Sequence, residues 1–225
     1  GMTKSFGNWE QAYLVRTYPN GTMPWQESFG GFVCEAAESV QQTGDGGFIF
    51  TGLSNSGGTG SKLYLVKTDA KGRFLWEKYY GTGATGYAIL RNSDGGFMVA
   101  GTIEGTGGWP RAYLLKTSSA GEKIWHRVYG GPYLDTAFSL RKTSDGGYIM
   151  AGDSTSFGKT RQVLLIKTDA GGNTMWRRTF GRDDWDTGYS VQQTRDGGYI
   201  VAGYSFRSPR YDQIYLIKTD ASGKV

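Results

Sequence analysis

The sequence predicts an all-β protein built from a repeated four-stranded unit of about 50 residues, and three markers in one register carry that reading. The segment Tyr13-Leu14-Val15-Arg16-Thr17 returns at Tyr64, Tyr113, Leu164 and Tyr215, at steps of 51, 49, 51 and 51 residues. An Asp-Gly-Gly triplet begins at Asp45, Asp94, Asp145 and Asp196. A tryptophan recurs at Trp25, Trp76, Trp125 and Trp176.

The elements of a unit follow in order. Strand a is short, as in Ser190-Val191-Gln192-Gln193-Thr194. The Asp-Gly-Gly turn comes next, where glycine supplies the positive φ of a tight hairpin. Strand b is apolar and ends in glycine, as in Tyr199-Ile200-Val201-Ala202-Gly203. A loop of variable sequence leads to strand c, the Tyr-Leu-Ile-Lys-Thr element. A second turn, such as Asp169-Ala170-Gly171-Gly172-Asn173, leads to strand d, which begins at the tryptophan. β-Branched and aromatic residues between glycine-rich punctuation support strands throughout.

Four antiparallel strands at this period are the pattern of a β-propeller blade. A solenoid uses shorter repeats, and a sandwich has no reason to repeat its sequence. The units run over about 1–30 (partial), 31–81, 82–130, 131–181 and 182–225 (partial), within one domain spanning 1–225. The strand count favours four blades, with residues 22–29 pairing beside 213–219 so that one blade is completed from both termini. Five blades, or a piece of a larger ring, are the alternatives. Open edges on incomplete terminal blades would invite self-association.

Composition narrows the class. The 37 glycines in 225 residues exceed the usual share about twofold, yet they do not fall every third residue, which excludes collagen. Aromatics at 15% and a net charge of +5 exclude a disordered chain. No apolar run approaches the length of a membrane helix. The 25 basic and 20 acidic residues are interspersed, unlike the concentrated stripe of a nucleic-acid protein, so no specific nucleic-acid partner is expected. Cys34 is the single cysteine, which excludes an intramolecular disulfide framework.

Catalysis needs asymmetric groups in tuned environments. His126 is the single histidine and falls on an outer strand, where other repeats carry Gln26, Glu77 and Arg177; it reads as a surface residue. Cys34 has no histidine near it in sequence, and no zinc cluster can be assembled. Asp183-Asp184-Trp185-Asp186, with Asp135 at the place equivalent to Asp186, raises calcium, but another repeat has Ala84 there. The expectation is therefore no metal, no cofactor and no catalytic residue.

Repeated residues read as scaffold. Trp25, Trp76, Trp125 and Trp176 are expected to pack between adjacent blades. Lys67, Lys116, Lys167 and Lys218, with Arg16, are expected to pair with a neighbouring or backbone group. Residues that differ between units sit in the b–c and d–a connections, which leave a meandering blade on one face. Trp109, Arg111, Phe157, Arg161, Trp185, Asp186, Arg207, Arg210 and Tyr211 are the candidate ligand-binding residues, since aromatics with arginine on loops over a rigid scaffold suit recognition.

The composite unit, Asp-Gly-Gly-Tyr-Ile-Val-Ala-Gly followed by Tyr-Leu-Ile-Lys-Thr-Asp-x-x-Gly-x-x-x-Trp, resembles the propeller repeats of secreted and cell-surface proteins of bacteria and archaea. The stretch from Thr168 to Trp176 is also similar to the Asp-box hairpin of sialidase-type propellers, with one residue more in the spacing, and distantly to the quinoprotein repeat. These resemblances imply an extracellular or cell-surface location and a recognition or scaffold role toward a protein or glycan partner. An enzyme on a propeller scaffold, either a quinoprotein-like oxidoreductase or a glycan-cleaving hydrolase, is the competing expectation.

Overall fold

The computed structural model describes residues 1–5, 9–31, 33–56, 60–181, 185–206 and 213–225. These form five antiparallel sheets, with no helix among the described residues. The first sheet holds β1 (Met2–Thr3), β2 (Gln11–Arg16) and β3 (Trp25–Phe29). The second holds β4 (Glu35–Gln42), β5 (Phe48–Ser54), β6 (Lys62–Thr68) and β7 (Phe74–Tyr80). The third holds β8 (Thr85–Arg91), β9 (Phe97–Glu104), β10 (Pro110–Thr117) and β11 (Lys123–Tyr129). The fourth holds β12 (Ser139–Lys142), β13 (Tyr148–Ser154), β14 (Gln162–Thr168) and β15 (Thr174–Phe180). The fifth holds β16 (Trp185–Gln193), β17 (Tyr199–Phe206) and β18 (Gln213–Thr219). In every sheet the strands neighbour one another in chain order, the meander of a propeller blade.

The chain divides into two compact units, Gly1–Met98 with Thr117–Lys123, and Val99–Lys116 with Ile124–Val225. In the first unit the second sheet is complete, and β3 pairs with β2 from Ala12↔Phe29 to Arg16↔Trp25. This corrects the expectation that the strand at 22–29 completes the last sheet: it fills the d place of its own. The turn from Tyr18 to Thr22 joins β2 to β3 locally, and a short loop closes at far less entropic cost than a pairing across most of the chain. β1 takes the b place, pairing Met2↔Ala12 and Thr3↔Gln11. Among the described residues the sheets therefore number five, two of them three-stranded.

The Asp-Gly-Gly turn and the strand-c lysine form one device. Asp45 accepts hydrogen bonds from the Gly47 N–H at 3.0 Å and from the Thr43 hydroxyl, while its other oxygen pairs with Lys67 Nζ at 2.8 Å. Lys67 Nζ also donates to the Thr68 carbonyl at 2.8 Å. The second glycine of the triplet makes this possible, because a Cβ on Gly47 would collide with the Thr68 carbonyl oxygen and stand 2.7 Å from Lys67 Nζ. Asp145 with Lys167 and Asp196 with Lys218 repeat the pairing at 2.7 Å.

Sheets stack through apolar faces. In the first unit Ala12, Leu14 and Phe29 pack on Ala37, Phe50, Tyr64 and Val66. In the second, Ile149, Ala151, Val163 and Leu165 pack on Val191, Tyr199, Val201 and Ile217. Each strand-d tryptophan lies against the glycine of the following unit's c–d turn. A Cβ would come within 2.8 Å of Trp25 at Gly72, 2.9 Å of Trp76 at Gly121, 2.8 Å of Trp125 at Gly172 and 2.7 Å of Trp176 at Gly223. Trp25, Trp76 and Trp176 also meet Phe48, Phe97 and Tyr199 across ring centroids 5.5, 6.5 and 5.6 Å apart. All four indoles are half-buried rather than fully shielded, because strand d is the outer strand of its sheet and leaves one edge of each ring to solvent.

Candidate functional site

Successive units are linked at the end where the b–c and d–a connections emerge. A residue within four positions of the start of strand a donates its N–H to the carbonyl of the first residue of strand c, or of the residue just before it, in the preceding unit. The bonds are Glu35 to Glu10 at 2.9 Å, Ala84 to Ser61 at 3.1 Å, Asp135 to Pro110 at 2.9 Å and Asp186 to Arg161 at 2.9 Å. This repeated backbone bond sets variable side chains from two connections side by side.

Carboxylates stand at three of these four junctions, and all three are buried: Glu35 and Asp135 are 0% exposed and Asp186 is 1% exposed. Their work is local. Asp135 accepts from the Gly131 N–H at 2.8 Å, from Ser156 Oγ at 2.7 Å and from Ser154 Oγ. Glu35 accepts from the Gly31 N–H at 3.2 Å, from Ser54 Oγ at 3.1 Å and from Ser56 Oγ. Each of these two carboxylates pins the glycine-rich d–a connection to the end of strand b. In the repeat that has Ala84 in place of the acid, Ile103 stands in place of the serine, so the polar pair is replaced as a set. Asp186 thus lies inside the protein rather than on an open binding face.

Arg111 is likewise turned inward. Its side chain is 19% exposed, donates to the Gly130 carbonyl at 3.0 Å and brings Nε to 3.9 Å from Asp135. Phe157 is half-buried beneath the Arg177 guanidinium, which stands 3.5 Å from the ring centroid. Trp109 and Trp185 are open, at 49% and 58% exposure. Trp109 meets the exposed Tyr133 edge-on at 6.4 Å, and Trp185 meets Phe206 at 6.4 Å. Arg207, Arg210 and Tyr211 lie outside the described residues, as do Asp183 and Asp184 of the acidic stretch.

Arg161 and Trp185 form the most developed junction. The guanidinium lies 5.6 Å from the indole centroid, and Nη1 stands 3.3 Å from an Asp153 oxygen. Asp153 is 1% exposed and held by Thr136, whose hydroxyl donates to one oxygen and accepts the Asp153 N–H at 3.0 Å. Thr187 donates to the other oxygen at 3.4 Å. Burial pushes the Asp153 carboxyl above the ordinary carboxylate range, and the nearby Asp135 adds to the rise; Thr136, Arg161 and Thr187 oppose it. Beside them Tyr189 stacks on Tyr204 at 5.8 Å and tilts against Phe138 at 5.4 Å. Burial raises the Tyr189 phenol, with Tyr204 and Asp153 adding to the rise and Arg161 opposing it.

The sequence reading did not single out Asp153, Glu35 or Tyr189. Asp153 had a signal: it puts an acid in an otherwise apolar strand, at a place held by the uncharged Leu53, Thr102 and Tyr204 in other units. Glu35 had one too, as the residue three repeat steps before Asp186. His126 is exposed on β11, its ring 5.5 Å from that of Tyr113. No cluster of three metal-ligating side chains occurs among the described residues.

No family model matches the sequence, and no curated protein matches it. Among solved structures the chain is similar to a protein of unknown function from Dyadobacter fermentans DSM 18053. That match has 13% identity and a TM-score of 0.56, and covers 91% of this chain and 67% of that one. A thermostable family-43 glycoside hydrolase matches at 14% identity and TM-score 0.49, over 81% of this chain and 70% of that one. An α-L-arabinofuranosidase from Clostridium thermocellum ATCC 27405 matches at 12% identity and TM-score 0.47, over 82% of this chain and 68% of that one. At such identities the likeness speaks to fold alone, and with the five meandering sheets on the page the fold is all-β and of the β-propeller kind.

Proposed function

We propose that this chain is a non-catalytic recognition propeller, binding a glycan or protein partner through the face that carries the b–c and d–a connections. The observation that supports this reading is the Arg161–Trp185 junction: an open indole with a guanidinium over it, locked from behind by a buried carboxylate. A rigid aromatic surface beside a fixed donor suits stacking with hydrogen bonding, and locking the arginine beforehand lowers the entropic cost of using it. The exposed Trp109–Tyr133 pair supplies a second aromatic surface on the same kind of junction.

Asp153 favours a second reading, glycan cleavage, because a carboxyl held above its ordinary range is what a general acid requires. The burial of Asp153 behind Arg161 weighs against it, since a general acid must reach the glycosidic oxygen. A glycan array probed with labelled protein separates the readings when paired with turnover of aryl glycosides. Replacing Trp109 and Trp185 together by Ala is expected to abolish binding while stability stays within about 1 kcal/mol, as surface changes do. Retained affinity after that double change, together with a loss on altering Asp94 or Asp145, would place recognition on the opposite face. Turnover that disappears in Asp153→Asn would establish the hydrolase reading instead.

A further inference from the structure

The interior sheets define what covers each face of a blade, and the two terminal sheets each lack one such cover. On strand c the forward face is carried by two positions. The first is Ala12, Leu63, Ala112 and Val163, each 0–1% exposed, but its counterpart in the last sheet, Ile214, is 86% exposed. The second is Leu14, Leu65, Leu114 and Leu165, at 8% exposure or less, against 62% at Leu216. On strand b, Ile49, Met98 and Ile149 are 0% exposed and Ile200 is 38% exposed. Where this face is covered in the second unit, its cover is the backward face of the next sheet, Val191, Tyr199, Val201 and Ile217.

The first sheet shows the complementary vacancy. Its backward-face residue Val15 is 41% exposed, whereas Val66, Leu115, Ile166 and Ile217 at the same position are at most 5% exposed. Its c–d turn glycine tells the same story. Gly72, Gly121, Gly172 and Gly223 each carry a tryptophan from the preceding unit, but a Cβ placed on Gly21 would meet nothing within 4 Å. The φ of +81° at Gly21 matches the +76° to +80° of the other four, so the turn has the same shape with its docking place open.

We infer that these two faces are an interaction surface for a second copy of this chain, joined head to tail. The forward face at Ile200, Ile214 and Leu216 of one molecule covers the backward face at Val15 and Gly21 of the other. The first sheet on the second and the fourth on the fifth each pair a forward face with a backward face, and the two terminal sheets leave one of each exposed. The occupant that supplies the missing chemistry on both sides is therefore a further sheet of the same repeat. Contiguous apolar side chains at such exposure are otherwise an association liability. The interface is heterologous, so two copies satisfy all four faces only when both contacts close.

The test is the oligomeric state of the whole chain by sedimentation velocity over a wide concentration range. The wild type is expected to associate as concentration rises. Ile214→Lys with Leu216→Lys removes the forward face, and Val15→Lys removes the backward face; each variant alone is expected to stay monomeric. Mixing the two variants leaves one intact face on each and is expected to restore a 1:1 pair that goes no further. Because all three positions are exposed, folding is checked by an unchanged thermal transition at low concentration. Milder Leu216→Ser and Val15→Ser variants replace any that fail that check. A monomeric wild type at several hundred micromolar would overturn the inference. So would a Val15→Lys variant that still dimerises, which would mean that like edges pair through β18.

Discussion

Cys34 carries the single thiol of the sequence, and its surroundings suppress its reactivity. The thiol donates to Glu10 Oε2 at 3.0 Å, and that hydrogen bond, aided by burial and by the charges of Glu10 and Glu35, pushes it up to about 11. A thiol so placed remains protonated through neutral pH, and the thiolate is the reactive form. Alkylation of Cys34 by iodoacetamide at pH 8 is expected to run roughly a hundredfold slower than for an ordinary exposed cysteine. Glu10→Gln should bring most of that rate back, because it removes both the charge and the strong acceptor. Mass spectrometry of labelled protein over time measures both. Equal rates for wild type and variant would mean that Glu10 does not hold the thiol.

At the scale of the element, the Asp-Gly-Gly hairpin shows how one motif spans two strands. Lys167 is nearly buried, with its side chain 3% exposed, while Asp145 is 49% exposed. The Lys167 hydrogen bond, with help from Thr143 and Gly147, holds the Asp145 carboxyl down to about 2. A carboxylate held below its unfolded value, about 3.9, stabilises the fold above that value and loses the contribution as pH falls toward 2. Asp145→Asn leaves Lys167 buried without its counter-charge and is expected to cost about 2 kcal/mol at pH 7, below the range for fully buried pairs because Asp145 is half-exposed. Urea unfolding at pH 7, 4 and 2 should show the gap between wild type and variant closing over the last two values. A gap that does not change with pH would sink this account. Asp196→Asn should matter less, since Lys218 is 46% exposed and keeps water as a partner. The triplet was readable as a turn from the sequence because glycine's positive φ is a local property. Its coupling to a lysine 22 residues onward was only anticipated as pairing of some kind, since nothing local names the partner.

At the scale of the whole molecule, the period carried the architecture and the departures from the period carry the chemistry. Strand order within a sheet follows from repetition, so five c-strands and four tryptophans were readable directly. Which sheet owns Trp25–Phe29 was not, because hydrogen-bond pattern and side-chain alternation suit either neighbour; local chain closure decides it. Arg111, Asp186 and Phe157 looked like recognition residues because their positions vary. Variation alone does not tell an outward side chain from one that fastens a variable connection, and Asp153 escaped notice inside a strand that otherwise repeats. The stacking itself makes a testable demand. Trp176 covers Gly223 and meets Tyr199, so it fastens the fourth sheet to the fifth while contributing nothing to the hydrogen bonds of the fifth. Trp176→Ala is expected to cost about 2 kcal/mol, less than the 3–5 kcal/mol of a fully enclosed tryptophan because the ring is half-buried. In hydrogen exchange the loss should appear first in β17 and β18, with β13 and β14 retaining most of their protection, since sheets in a repeat array depend on their nearest neighbours. If instead every strand loses protection equally, the sheets unfold as one cooperative body, and stability does not pass from blade to blade through the tryptophan.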